Sequence, residues 1–145
     1  MNAWPQLLAV LVGAGLTVQI GMNATLRTAI GSPLLATVVN FSVGLLALVL
    51  MSLVAGTRPA AGTLSAPAWA WLGGLLGAAY VVAATVLGPR LGAAALLALT
   101  LLGQMVAALA VDHYGAIGFA QTPVTFQRVL GMLLLVAGVV LVMRR

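Results

Sequence analysis

The chain has no cysteine, no lysine and no glutamate; of its 145 residues only Asp112 is acidic and only His113 carries an imidazole. The lack of cysteine excludes disulfides, thiolate metal sites and cysteine nucleophiles. One acid beside one histidine does not make a metal ligand set. No serine sits in a nucleophile motif, and no glycine-rich loop follows a strand. No metal, cofactor or enzymatic reaction is therefore expected. Charge is also scarce, 5% of residues against about 25% in soluble domains. The net charge of +5 rests on six arginines that fall singly between apolar runs or at the C-terminus. Arginines so placed set membrane topology and snorkel to headgroups rather than grip nucleic acid.

What remains is apolar: 63% hydrophobic residues and a mean hydropathy of +1.23. The expectation is an all-α integral membrane protein, a single membrane domain without a soluble part. A spanning helix needs about 20 apolar residues, and five stretches qualify, near residues 4–28, 34–54, 68–87, 91–111 and 126–143. Trp4 suits an interface and Pro5 a first helical turn. The first stretch lacks a basic leader and a clean cleavage site, so it reads as a retained helix. Gly31-Ser32-Pro33 separates the first two spans, and a Gly/Ala/Ser/Pro loop from Gly56 to Pro67 separates the next two. Gly88-Pro89-Arg90 divides an apolar run too long for one crossing, because proline removes a helical hydrogen bond. The stretch from Asp112 to Gln127 reads as an interfacial loop.

An odd helix count puts the termini on opposite sides. Arg58 and Arg128 then lie with the N-terminus, and Arg27, Arg90, Arg144 and Arg145 on the other side. Two against four is a small bias toward N-out, and it leaves insertion in both orientations open.

Polar side chains inside the spans are expensive and must face a partner helix or a wet cavity. Gln19, Asn23 and Arg27 recur every four residues on one face of the first helix. Gln19 and Asn23 are either interhelical hydrogen-bond donors and acceptors or cavity lining; Arg27 reads as a snorkelling residue. Asn40, one turn before Gly44, suits close helix contact and is the weaker binding candidate. Gly73 and Gly77 form a GxxxG face and read as helix packing. Tyr80 needs a hydroxyl partner or a cavity to line. Gln104 shares a face with Thr100 near mid-span and reads as cavity lining. Asp112 and His113 lie at a helix end, where they tie it to the following loop; a proton relay or gate is the alternative.

Several segments together resemble a known family. They are Gln19-Ile20-Gly21-Met22-Asn23 with Leu26-Arg27, Gly31-Ser32-Pro33-Leu34, Asn40-Phe41 with Gly44, and Gly73-Gly74 with Gly77-Ala78 and Tyr80-Val81. Pro89 with Leu91-Gly92, Gly103-Gln104, Asp112-His113 with Gly115 and Gly118, and Arg128 with Gly131 continue the series. Their order and spacing resemble the YdcZ-type family of the drug/metabolite transporter superfamily across nearly the whole chain. The resemblance implies a multi-pass protein of the bacterial inner membrane, equivalent to one half of a five-plus-five inverted-repeat transporter. Such repeats place the solute site near mid-membrane and rock around it. A lone five-helix chain would supply both halves as an antiparallel homodimer, or pair with a homologous subunit.

One departure weakens a cation-exporter reading. The related small multidrug-resistance transporters have a membrane glutamate eight residues before a basic residue, and here that spacing runs from Gln19 to Arg27. Glutamine does not titrate, so a polar, zwitterionic or anionic solute fits as well. Gly73-Gly74 with Gly77-Ala78 is also similar to a motif of dual-topology fluoride channels, but Val81 stands where that motif has arginine. The leading expectation is a transporter subunit for a small polar solute, lined by Gln19, Asn23, Tyr80 and Gln104, with Asn40 beside them. A passive channel and a non-transporting subunit that needs a partner chain are the rivals.

Overall fold

The computed structural model describes residues 3–59 and 66–144. Arg145, used above for topology, and residues 60–65 of the connecting loop lie outside the described residues. Among the described residues there are five long helices and one short 3-10 turn, and no strand. They are α1 (Trp4–Ile30), α2 (Pro33–Val54), α3 (Gly73–Leu91), α4 (Ala93–Tyr114) and α5 (Phe126–Met143), with the 3-10 turn Ala68–Leu72 leading into α3. All five are long and apolar enough to cross a membrane.

Local chemistry explains the helix ends. Pro5 sits in the first turn of α1, where its missing N–H would have no partner anyway. Gly31 ends α1 in the left-handed conformation (φ 79°), and its N–H donates to the Arg27 carbonyl. Ser32 then caps α2 by accepting from the Leu35 N–H, with Pro33 opening the helix. Thr125 caps α5 in the same way, accepting from the Arg128 N–H. Inside the spans the threonines bond back to their own helices: Thr17 to Gly13, Thr25 to Gly21, Thr37 to Pro33 and Thr85 to Val81. That back-bonding keeps a hydroxyl satisfied where no water reaches it.

The boundary between α3 and α4 differs from the sequence expectation. Helix α3 continues through Pro89 to Leu91, and the break falls at Gly92 (φ 84°, ψ 154°), a conformation open mainly to glycine. Proline disrupts a helix by crowding the carbonyl four residues back and by leaving it without a donor; here that carbonyl, on Thr85, has found another donor.

The chain forms two compact units, residues 1–90 and 91–145. In the first, α1 packs on α2; in the second, α4 packs on α5. Few side chains are buried. Ile20, Asn23, Ala36, Thr37, Ala84 and Thr85 are buried in the first unit, and Leu96 and Val139 in the second. Most leucines and valines point outward, as expected for a surface solvated by lipid rather than water.

Candidate functional site

The polar face of α1 meets α3. Gln19, Ile20 and Asn23 from α1, with Tyr80, Val81, Ala84 and Thr85 from α3, line a narrow space of about 10 Å³, room for one water molecule at most. The i, i+4 spacing on both helices puts these residues on facing stripes. Asn23 is only 3% exposed, yet neither its amide nor those of Gln19 and Asn40 nor the Tyr80 hydroxyl has a hydrogen-bond partner among the described residues. Among the described residues no side-chain nitrogen or oxygen is sealed away without a partner, so the Asn23 amide keeps some accessible surface. Gln19 also borders a second, wider groove of about 320 Å³ with Asn40, Phe41, Gly44, Leu45 and Leu48 of α2. The first unit therefore gathers Gln19, Asn23, Tyr80 and Asn40 around two spaces that share one glutamine.

Arg27 does more than reach for headgroups. Its Nη1 donates to the Thr85 carbonyl at 3.2 Å. Thr85 lies four residues before Pro89, so it is the carbonyl that an ordinary residue 89 would have bonded. The sequence reading gave Arg27 only a snorkelling role and passed over Thr85, although the i−4 relation to Pro89 was a usable signal. The guanidinium also lies in the last turn of α1, where the helix dipole favours a cation.

The polar residues of the second unit are arranged differently. Asp112 pairs with Arg128 of α5 at 3.0 Å, each side chain about a third exposed. The loop between them is held by backbone. The Thr122 N–H donates to the Asp112 carbonyl at 2.7 Å, and Gln121 Nε2 donates to the His113 carbonyl at 3.1 Å. His113 Nδ1 accepts from the Val124 N–H at 3.4 Å, and its ring meets Tyr114 edge-on. Gly115 ends α4 with φ 59°, and a Cβ there would lie 3.0 Å from Gln121 Cβ. These contacts tie the end of α4 to the loop and to α5. Beside the ion pair an open groove of about 490 Å³ runs between α4 and α5, lined by Leu101, Met105, Ala108, Leu109, Gly131 and Leu135. Gln104 is exposed on α4 in this unit, and Thr100 spends its hydroxyl on the Leu97 carbonyl.

The GxxxG face of α3 is open. A Cβ on Gly73 would meet nothing within 4 Å, and one on Gly77 only the tip of the Phe41 ring at 4.0 Å. Among the described residues, no helix backbone packs against it.

A family model described as "Putative inner membrane exporter, YdcZ" matches residues 4–141, from the start of α1 almost to the end of α5. The chain belongs to the YdcZ family. With its five apolar helices it is a multi-pass inner-membrane protein, and the family is one of membrane transporters rather than enzymes. No curated protein and no solved structure matches this YdcZ-family chain.

Proposed function

We propose that the chain is one half of a small-solute exporter, an antiparallel dimer that works by alternating access around a polar cavity near mid-membrane. The observation that carries this reading is the convergence of Gln19, Asn23 and Tyr80 on one space with no hydrogen bond among them. Amides that served as interhelical glue would be bonded to each other or to backbone. Unbonded amides turned toward a shared space are instead available to a solute. The space holds only about 10 Å³, so a solute enters it only when the α1–α3 seam opens, as alternating access requires. Asn40 belongs to the solute path in the same reading; in the second unit Gln104 is a separate candidate for solute contact, and Asp112 with His113 a candidate gate or proton relay. The open glycine face of α3 favours a second copy, and the small arginine bias leaves the opposite orientation open to it.

Orientation in intact membranes tests the reading. Because the chain has no cysteine, single cysteines at Thr57 and at the C-terminus report which side each occupies to an impermeant thiol reagent. Each site is expected to label to roughly half from either face, as a near-balanced arginine count allows. Labelling of each site from one face only would eliminate the antiparallel homodimer and require a second chain.

A further inference from the structure

The first unit has an arginine without a counter-ion. Residues 1–90 contain Arg27, Arg58 and Arg90 and no acid. The chain's one acidic side chain, Asp112, is already bonded to Arg128. Arg27 is half-buried, and its side chain donates to one group, the Thr85 carbonyl. That bond occupies one of the five guanidinium N–H donors. The carbonyl ends of α1 and α3 offset part of the charge, but a cation in low-dielectric surroundings is completed best by an anion.

The neighbouring groups fit an anion as well. Asn23 lies one helical turn from Arg27 and Gln19 one turn further, about 6 and 12 Å along the axis at 1.5 Å per residue. Thr85, which holds Arg27, is itself a wall of the space that Gln19, Asn23 and Tyr80 line. Two amide NH2 groups and a phenol hydroxyl are therefore unspent donors in a space whose Thr85 wall is held by an unneutralised guanidinium. The same residues could offer oxygens to a cation, but Arg27 would repel it.

We propose that this α1–α3 seam, once it opens beyond its one-water space, binds an oxyanion, with one carboxylate or phosphate oxygen received by Asn23 and Gln19 and the charge answered by Arg27. The planar guanidinium fork suits paired oxygens better than a monatomic ion. The inference rests on the reading of this seam as the solute path, and it assigns that path an organic acid or phosphorylated solute.

Thermal unfolding of the purified detergent-solubilised protein tests it, with acetate and inorganic phosphate as probe anions. Chloride at matched ionic strength is the reference, and tetraethylammonium is the probe cation. Near saturation, acetate or phosphate is expected to raise Tm by about 3–5 °C over chloride; the two arms separate a carboxylate site from a phosphate site. Arg27→Gln and Asn23→Ala should each remove the shift, Arg27→Lys should reduce it, and Arg58→Gln, which deletes an exposed arginine, should leave it unchanged. If Arg27→Gln does not fold, Arg27→Lys and Asn23→Ala carry the test. An equal response to chloride, no response to either oxyanion, or a shift that survives both Arg27→Gln and Asn23→Ala would overturn the proposal. A tetraethylammonium shift lost in Asn23→Ala but kept in Arg27→Gln would also overturn it, while leaving the seam a solute site.

Discussion

An amide that bonds to nothing within the chain and keeps little accessible surface costs its fold free energy, at most about 1–3 kcal/mol, the cost of a buried polar group with no partner at all. Asn23 carries that cost in the middle of a helix, where alanine would also be the better helix former by about 0.6 kcal/mol. Asn23→Ala is therefore expected to leave unfolding unchanged or raise stability by up to about 1 kcal/mol, the lost packing offsetting part of the gain. Transport by the same variant in proteoliposomes should be lost, as should transport by Gln19→Leu and Gln104→Leu. A loss of about 2 kcal/mol or more in Asn23→Ala would identify the amide as structural glue instead. Stability sacrificed at a binding residue is the usual pattern of sites that keep polar groups ready for a ligand.

At the scale of elements, Pro89 and Arg27 form a linked pair through a residue neither adjoins in sequence. Proline withholds the N–H that would satisfy the Thr85 carbonyl, and Arg27 supplies one from another helix. This exchange lets α3 run through Pro89 to Leu91, and it fastens the end of α1 to α3. A double-mutant cycle reads it directly. Arg27→Gln should cost about 1 kcal/mol in the native background, the low end for a hydrogen bond to a charged group because Arg27 is only half-buried. In a Pro89→Ala background, where residue 89 again donates to Thr85, the same change should cost less, with a coupling of about 0.5–1 kcal/mol. Additive effects in unfolding titrations would show that Arg27 supports α3 in some other way. The α4–α5 connection uses a different device, the Asp112–Arg128 pair with Gln121, Thr122 and Val124 bonding back to residues 112 and 113.

At the scale of the whole molecule, one chain of 14.6 kDa leaves most of its large apolar side chains outward. Lipid satisfies such a surface, so exposure by itself does not call for a partner. The α3 glycine face is more telling, because small residues serve chiefly to admit another backbone and none approaches Gly73 among the described residues. A leucine there meets open space within its own chain. Gly73→Leu should therefore preserve helix content and unfolding of the monomer but weaken self-association, by tenfold or more for a lost contact of about 1.4 kcal/mol. Mass measurement in detergent over a dilution series checks this. An unchanged dimer would exclude this face as the contact.

Much of the molecule was legible in the residues alone. Apolar runs of membrane-spanning length, punctuated by Gly31-Ser32-Pro33, the loop from Gly56 to Pro67, Gly88-Pro89-Arg90 and the stretch from Asp112 to Gln127, determined five helices and a membrane location, because a bilayer leaves a backbone few ways to satisfy itself. The regular spacing of Gln19 and Asn23 determined that both lie on one face. The order of motifs determined the family. Local signals could not determine what that face meets, since periodicity describes one helix at a time and is silent about its neighbour. Only the tertiary structure brought Tyr80 and Thr85 of α3 to the α1 stripe, paired Asp112 with Arg128, and carried α3 past its proline to Gly92. Each of these depends on a donor or a charge arriving from a distant part of the chain. The rule that proline ends a helix is local; the Arg27 guanidinium that relaxes it here is not.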